Sequence, residues 1–293
     1  MDARIHAVRS NLRCIAVGTR RIAYLEAGEG DAVLMLHGGG AGASGWSNYS
    51  RNVEELSRRF RVIVPDMPGY GGSTKGLDRG DPFGDLAQSM LGLLDALNVP
   101  RAHVVGNSLG GACALRMALE RPERIGRLVL MGPGGIGTSR GLPTQGLKKL
   151  LGYYKGDGPS IEKLRDFIRN YLVYDASAVT EDLIRERFKA SIDPEVVKSP
   201  PLQGPKGLAG VIKMDLTRDS RLATLATPTL VLWGTEDKVN KPSGGTYLQR
   251  HMPNCDLYLF AKTGHWIQWE RAEEFNAITT SFLSAHYAPM EAV

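Results

Sequence analysis

Short apolar runs alternate with segments of helical periodicity over most of the chain. Several of these runs are continuous in Val, Leu and Ile, which is typical of parallel strands that are buried on both faces. Apolar positions three and four residues apart predict helices over Asp85–Leu97, Leu109–Glu120 and Ala272–His286. This alternation predicts an α/β fold with a doubly wound, mostly parallel sheet. The predicted strands are Ile22–Glu26, Ala32–Leu36, Arg61–Val64, His103–Val105, Leu128–Met131, Thr229–Trp233 and Asp256–Phe260.

The alternation stops in the second third of the chain. Glycine and proline mix there with helical segments such as Ile161–Val173 and Glu181–Ala190, and no buried strand is predicted. The stretch is too long to be a plain loop between two strands. We therefore predict a helical lid over 138–214, inserted between two sheet strands of a core that consists of residues 1–137 and 215–293.

Charge and composition exclude several classes of protein. Lys and Arg number 36 against 31 Asp and Glu, and the basic residues occur at most in pairs, so we expect no nucleic-acid partner. The apolar runs are too short to span a bilayer. The three cysteines, Cys14, Cys113 and Cys255, show neither metal-ligand nor redox spacing. Since Met1–His6 also lacks the apolar segment of a secretory signal, we expect a cytoplasmic protein with free thiols.

A possible nucleophile lies in the segment Gly106-Asn107-Ser108-Leu109-Gly110. This is a G-x-S-x-G motif, with an apolar strand before it and a helical pattern after it. The motif is typical of a strained strand-to-helix turn that exposes the serine hydroxyl. The following helix directs free N–H groups at the same place. Ser108 is therefore the predicted nucleophile.

A serine hydroxyl needs an adjacent base and a group that orients this base. His265 follows the last predicted strand, so it should emerge at the same edge of the sheet as Ser108. Two carboxylates, Glu236 and Asp237, follow the strand before it. Considered alone, Asp237 is typical of a turn residue and His265 of a histidine in the protein core. The chain order Ser, Asp, His at three strand ends instead predicts a triad of Ser108, Asp237 and His265.

A glycine-rich loop, His37-Gly38-Gly39-Gly40-Ala41-Gly42, follows the strand Ala32–Leu36. Glycines let backbone N–H groups approach a ligand closely, and a developing oxyanion needs such donors. We predict an oxyanion hole formed by the N–H groups of Gly39 and Leu109, with a structural role for His37. A phosphate cradle is less favoured, because no Gly-Lys-Ser/Thr follows.

Five segments of the chain resemble the meta-cleavage product hydrolases, a group of the α/β-hydrolase superfamily. These enzymes hydrolyse a carbon–carbon bond in 2-hydroxy-6-oxohexa-2,4-dienoates during aromatic degradation. The resemblance covers nearly the whole chain, and Ala41 departs from it where many relatives carry proline. The segments are His37 to Ala43, Gly45 to Tyr49, Gly106 to Gly111, Leu130 to Gly135 and Gly264 to Gln268.

The resemblance also implies substrate-binding residues. These are Asn48, Asn107, Trp266, Arg187 and, as an apolar wall for the substrate's tail, Leu172. A guanidinium suits a substrate that carries a carboxylate and a 2-oxo group. For Arg187, the solvated face of a charged helix is the alternative, and for Leu172 it is core packing.

The resemblance implies a small-molecule dienoate substrate, no cofactor, no metal and a homo-oligomer. An esterase, a lactonase or a cofactor-free peroxidase would use the same triad. A non-catalytic relative remains a further alternative, since fold alone does not decide function. Dehalogenases and epoxide hydrolases of this superfamily carry Asp where this chain has Ser108. The serine at position 108 therefore makes a dehalogenase and an epoxide hydrolase less favoured as interpretations.

Overall fold

Eight strands form one sheet in the computed structural model, which describes residues 12–205 and 207–285. Their order across the sheet is β1-β2-β4-β3-β5-β6-β7-β8. The pairs β1/β2 and β2/β4 are antiparallel, and the other neighbours are parallel. The strands are β1 Arg13–Val17, β2 Arg20–Ala27, β3 Ala32–Leu36, β4 Arg61–Pro65, β5 Ala102–Asn107, β6 Ile125–Met131, β7 Thr229–Gly234 and β8 Cys255–Phe260.

Helices connect the strands and cover both faces of the sheet. Those of the first part are α1 Gly45–Tyr49, α2 Val53–Leu56, α3 Pro82–Ala96 and α4 Leu109–Glu120. Between β6 and β7 lie α5 Gln145–Gly152, α6 Ile161–Phe167, α7 Glu181–Ser191, α8 Pro194–Lys198 and α9 Gly207–Lys213. After β7 come α10 Ser243–His251, α11 Ile267–Glu270 and α12 Ala272–Ser284. Short 3₁₀ turns span Pro122–Arg124, Leu216–Arg218 and Ser220–Thr224.

The central strands are buried on both faces, as their continuous apolar sequences predict. In β3, Leu34 and Leu36 pack into one apolar cluster, whereas Val33 and Met35 pack into another on the opposite face. Helices α3 and α4 cover the first face, and residues of α1, α2 and α12 cover the second. The predicted α/β-hydrolase architecture is therefore confirmed.

Differences from the sequence prediction lie at the sheet edges and in the insertion. β1 was not predicted, because Arg13–Val17 is an edge strand with mostly exposed or half-buried side chains. β8, the opposite edge, was predicted, although its Tyr258 and Leu259 are 45% and 48% exposed. The helix predicted over Ile161–Val173 changes after Phe167 into a π-helical turn, Ile168–Leu172. The final residue predicted for the last helix, His286, lies outside the described residues.

The helices between β6 and β7 form a third apolar cluster above the sheet. Leu164, Phe167 and Ile184 pack there against Trp266 and Trp269, which follow β8. These helices therefore cover the edge at which the parallel strands end. The lid boundaries at 138 and 214 stay a prediction. Among the described residues, no helix has the length and apolar character needed to cross a membrane.

The histidine at the amino end of β5 should make stability depend on pH. Burial lowers the pKa of His103 from 6.5 to about 4, and Arg127 acts in the same direction. Between these values the unfolded chain binds more protons than the folded one, so stability is lost as the pH falls through this window. We expect His103→Gln to reduce the acid-induced loss between pH 7 and pH 5 by about 1–2 kcal/mol.

Denaturant unfolding at several pH values measures this difference. His251→Gln is the matched control, because that histidine is exposed on α10, where its ring stacks on Tyr247. The control should follow the wild-type pH profile. Identical profiles for wild type and His103→Gln would contradict the assignment.

Candidate active site

The carboxyl ends of the parallel strands bring the predicted residues to one edge of the sheet. The glycine loop follows β3, Ser108 follows β5, Asp237 lies just beyond β7, and His265 lies just beyond β8. β3 pairs with β4 on one side and with β5 on the other, so the chain changes direction across the sheet at β3. A crevice for ligands forms at such a switch point.

Ser108 occupies a strained turn between β5 and α4. Its backbone angles are φ 53° and ψ −111°, a conformation that residues other than glycine rarely adopt. The flanking glycines allow the turn to be this tight. A Cβ on Gly106 would lie 2.4 Å from the Gly110 carbonyl oxygen, and one on Gly110 would lie 2.2 Å from that of Leu36. The G-x-S-x-G spacing is thus a steric requirement of this turn.

Asp237 and His265 form a buried pair. The His265 Nδ1–H donates to Asp237 Oδ2 at 2.7 Å, and the same oxygen accepts from the Trp233 indole N–H at 3.0 Å. Asp237 Oδ1 accepts from the backbone N–H groups of Val239 and Asn240, both at 2.8 Å. Four donors therefore fix the carboxylate and leave Nε2 of His265 as the ring's possible acceptor.

The neighbouring carboxylate, Glu236, is exposed to solvent. Its side chain accepts from the hydroxyl of Thr235 at 3.4 Å, and its backbone N–H donates to the Thr263 carbonyl oxygen. The two acids that the sequence left as candidates are thus separated by their surroundings. Asp237 contacts the histidine, and Glu236 does not.

Ser108 and His265 line the same cavity, but their side chains are not hydrogen bonded. The Nε2 atom of His265 is buried and has no partner among the described residues. A serine and its base are often loosely arranged without substrate, and they tighten during the reaction. The buried Nε2 is therefore available to accept a proton from a group inside the cavity.

The glycine loop is held by side chains beneath it. Nε2 of His37 accepts from the Met67 N–H at 2.9 Å, and its Nδ1–H donates to the Gly38 carbonyl at 2.8 Å. Burial lowers the pKa of His37, which keeps the ring neutral for this role. The Tyr70 hydroxyl donates to the Gly39 carbonyl at 3.1 Å, which fixes the backbone of the loop at this residue. These bonds give His37 the structural role that was predicted.

The two predicted oxyanion donors lie close together. A Cβ on Gly39 would be 3.0 Å from the Leu109 side chain, so the two residues approach each other across the cavity wall. Leu109 is the first residue of α4, where backbone N–H groups have no acceptor within the helix. The structure therefore brings Gly39 and the beginning of α4 together, and their role as oxyanion donors stays a prediction.

Arg187 is a buried cation beside this cavity. It lies on α7 and is only 4% exposed, whereas Arg185 and Lys189 on the same helix are exposed. Its Nε and Nη2 groups donate to the Ala41 carbonyl at 3.1 Å and 3.0 Å. No carboxylate among the described residues forms an ion pair with it. Burial lowers its pKa to about 10, so the guanidinium stays charged at neutral pH.

The remaining predicted residues also line this cavity. The Asn48 side-chain oxygen accepts from the Gly38 N–H at 3.3 Å. The Asn107 amide donates to the carbonyls of Met131 and His265, at 3.3 Å and 3.2 Å. The indole N–H of Trp266 is buried and has no partner among the described residues. The cavity has a volume of about 20 Å³ and is lined by Gly38, Gly39, Gly40, Asn48, Asn107, Ser108, Leu150, Phe167, Leu172, Arg187, His265 and Trp266.

Several residues of the site were not predicted from the sequence. Trp233 and Asn240 contact or hold Asp237, and Tyr70 supports the glycine loop. Leu150 and Phe167 line the cavity from the inserted helices. In the sequence, Leu150 and Phe167 appear only as regularly spaced apolar residues of α5 and α6, and such spacing is equally typical of core packing.

Glu270 joins the inserted helices to the histidine loop. Its carboxylate accepts from the N–H groups of Gly264 at 3.0 Å and Tyr174 at 2.7 Å. Beside it, the His265 N–H donates to the Leu172 carbonyl at 2.8 Å. Burial raises the pKa of Glu270 to about 7, against the effect of these N–H donors. Leu172 is thus attached by its backbone to the residue that carries the candidate base.

Comparisons with known proteins agree with this architecture. The profile of the family described as alpha/beta hydrolase fold matches residues 31–272. The chain is 42% identical over 273 residues to the 2-hydroxy-6-oxo-6-phenylhexa-2,4-dienoate hydrolase of Comamonas testosteroni, covering 89% of this chain and 91% of that protein. It is 41% identical over 272 residues to the 2-hydroxy-6-oxononadienedioate/2-hydroxy-6-oxononatrienedioate hydrolase of Paraburkholderia xenovorans, covering 91% of this chain and 92% of that protein.

A solved structure shows the same relationship. The meta-cleavage product hydrolase of Pseudomonas fluorescens superposes with a TM-score of 0.84 at 33% sequence identity, covering 92% of this chain and 96% of that one. The family profile includes all the site residues described above, and each of these relatives covers most of the chain. The chain therefore belongs to the α/β-hydrolase fold family and, within it, to the meta-cleavage product hydrolases.

Proposed function

We propose that this protein hydrolyses a carbon–carbon bond in 2-hydroxy-6-oxohexa-2,4-dienoates, giving a 2-hydroxypenta-2,4-dienoate and a carboxylic acid. The observation that carries the proposal is the buried guanidinium of Arg187, which has no carboxylate partner among the described residues and lines the same cavity as Ser108. An unpaired buried charge is costly. A substrate carboxylate would supply the missing partner, and an ordinary ester would not.

Ser108, His265 and Asp237 are the proposed catalytic residues. His265 would take the serine proton through Nε2, while Asp237 holds the ring through Nδ1–H. The N–H groups of Gly39 and Leu109 would stabilise the oxyanion that forms on the substrate ketone. One such donor contributes about 3–4 kcal/mol of transition-state stabilisation in a serine hydrolase.

The reaction would begin with ketonisation of the dienol. The 2-hydroxyl loses its proton and a carbon next to the second ketone gains one, which produces an electron sink at the 2-oxo end. Ser108 then adds to the second ketone, with its proton going to His265. Breaking the carbon–carbon bond leaves an acyl-serine, and its electron pair returns to the 2-oxo end as the dienolate. The dienolate takes the proton from His265 and leaves, and water activated by the neutral His265 then releases the carboxylic acid and restores the serine.

The binding residues would form a polar end and an apolar end of the cavity. Arg187, Asn48, Asn107 and the free indole N–H of Trp266 would hold the carboxylate and the 2-oxo group. Leu172, together with Leu150 and Phe167, would contact the tail on the other ketone. The inserted segment contributes Leu150, Phe167, Leu172 and Arg187 to the cavity lining, so we expect it to move when substrate enters.

A cytoplasmic homo-oligomer is part of the same proposal. Cys14, Cys113 and Cys255 are free in the described part of the chain, which supports a reducing compartment. The exposed apolar Tyr258 and Leu259 on the edge strand β8 support contact between subunits.

The substitution Arg187→Met tests the proposal. It keeps an apolar stem of similar length but removes the cation. We expect the kcat/KM for a dienolate to fall at least about thirtyfold. This corresponds to a loss of about 2 kcal/mol of transition-state stabilisation, the scale of losing one partner of a charged hydrogen bond. Hydrolysis of p-nitrophenyl acetate should change little, because this ester has no carboxylate.

Arg185→Met is the matched control. This arginine is exposed on the same helix, so its replacement should leave both activities unchanged. Loss of absorbance of the coloured dienolate and release of p-nitrophenol follow the two reactions separately. Equal damage to both activities in Arg187→Met would mean that Arg187 only supports the Ala41 loop. No damage to either would contradict the proposed carboxylate site.

A further inference from the structure

A series of stacked side chains leads from the protein surface to Arg187. The guanidinium carbon of Arg187 lies 5.3 Å from the ring centroid of Trp266. The Trp266 ring stacks on that of Trp269, with centroids 4.9 Å apart and planes 8° apart. The guanidinium carbon of Arg51 lies 4.0 Å from the Trp269 centroid. We call Arg51, Trp269, Trp266 and Arg187 the stacked series.

The local sequence explains the pairing of the two indoles. Trp266 immediately precedes the short helix α11, and Trp269 is its third residue. Residues three apart on a helical turn lie on the same face, so the two rings can stack. Both are buried, with exposures of 1% and 4%. Stacking leaves each ring one further face, and an arginine lies close to each ring.

Arg51 fixes the outer end of the stacked series. Its Nη1 donates to the Trp269 carbonyl at 3.0 Å, so the arginine binds both the ring and the backbone of the same residue. Its own carbonyl accepts from the Asn276 amide at 3.1 Å, which connects it to α12. The side chain of Arg51 is exposed, and it does not line the cavity.

The inner end of the stacked series consists of two residues that line the cavity, Trp266 and Arg187. The buried indole N–H of Trp266 is unpartnered among the described residues, and Arg187 donates only to the Ala41 carbonyl. The direction of the indole N–H follows the orientation of the Trp266 ring, and the Arg187 guanidinium lies 5.3 Å from the centroid of the same ring. Trp269 restricts that ring, because the two indoles stack with their planes 8° apart.

We propose that Trp269, held by Arg51, is a positioning residue that orients Trp266 and, through it, Arg187 for a substrate carboxylate. The inference rests on the proposed function, because it concerns the same carboxylate site. It assigns a role in ligand affinity to two residues outside the cavity. Neither of them would touch the substrate.

Affinity for a carboxylate that cannot be cleaved tests the proposal without relying on turnover. Sorbate, a hexa-2,4-dienoate without the ketone, is the probe, and quenching of indole fluorescence or calorimetry gives its Kd. We expect Trp269→Leu to raise the Kd about tenfold, because a cation–π contact and a ring stack are lost together. Trp269→Phe keeps an aromatic face and should stay within about twofold of wild type.

Arg51→Met gives an independent variant at an exposed position, where folding is not at risk. Removing one cation–π contact should raise the Kd for sorbate about threefold. Arg58→Met, on an exposed arginine that follows α2, is the matched control and should leave the Kd unchanged. The exciton-coupled circular dichroism of the stacked indoles should be absent in Trp269→Leu and present in Arg51→Met.

The same variants are assayed with p-nitrophenyl acetate, which has no carboxylate. Ester hydrolysis should stay within about twofold of wild type, since the triad does not depend on the stacked series. A parallel loss of ester hydrolysis and sorbate affinity would overturn the proposal in favour of a merely structural role. Unchanged sorbate affinity in both Trp269→Leu and Arg51→Met would also overturn it, as would a wild-type protein that does not bind sorbate. A wild-type protein that binds sorbate but leaves dienolates intact would instead contradict the proposed function.

Discussion

Replacing Ser108 by alanine is expected to abolish nearly all turnover of a dienolate. Loss of the nucleophilic serine costs about a millionfold in kcat in a serine hydrolase that has been dissected in this way. Binding should be largely retained, because the proposed carboxylate partners Arg187 and Trp266 are untouched. Stopped-flow absorbance of the dienolate measures both quantities, the rapid change on binding and the slow decay on cleavage.

Ser50→Ala serves as the control for this experiment. That serine follows α1 and does not line the cavity, so its removal should leave kcat unchanged. Turnover by Ser108→Ala within about tenfold of wild type would rule out the serine as nucleophile.

The second large effect is expected for the acid of the pair. Asp237→Asn should lower kcat about ten-thousandfold, because the amide favours the wrong tautomer of His265 and cannot stabilise the imidazolium. Asp237 accepts from His265 at 2.7 Å and is buried, which makes it the orienting group. Steady-state kinetics with a dienolate measure the loss.

Glu236→Gln is the matched control for the acid. Glu236 directly precedes Asp237, is exposed and makes no contact with His265, so its replacement should leave kcat within about twofold of wild type. The reverse ranking of the two variants would show that the acid has been assigned to the wrong residue.

Much of the fold follows from local pattern. Continuous apolar runs predict β3 to β7 because these strands are buried on both faces. The spacing of apolar residues also predicts the starts of α4 and α12, whereas α3 begins at Pro82, three residues before its predicted start. The two edge strands differ in this respect. β1 buries too little to be recognised, whereas β8 was predicted from its apolar residues although Tyr258 and Leu259 are exposed.

The sequence around Arg187 only partly predicts that this residue is buried. Its immediate neighbours are charged, which is typical of a solvated helix face. The buried residues of α7 are nevertheless Ile184, Arg187 and Ser191, three and four residues apart, so a single inward face includes the arginine. Without the apolar majority that normally marks such a face, the sequence left both interpretations open.

Contacts that depend on the three-dimensional arrangement of loops could not be predicted. The Trp233 side chain reaches the carboxylate four residues later, and Glu270 links the histidine loop to Tyr174. Arg51 meets Trp269 from more than two hundred positions away in the chain. These contacts depend on how strand ends and inserted helices meet in space, which no local pattern specifies.

Identification of both products in heavy-oxygen water tests the central claim most directly. The purified wild-type protein is incubated with 2-hydroxy-6-oxo-6-phenylhexa-2,4-dienoate, and the products are analysed by mass spectrometry. Hydrolysis through Ser108 predicts equal amounts of 2-hydroxypenta-2,4-dienoate and benzoate, with one heavy oxygen atom in the benzoate. An intact dienolate in a preparation that still hydrolyses p-nitrophenyl acetate would contradict carbon–carbon bond hydrolysis of this substrate and leave ester hydrolysis as the protein's activity.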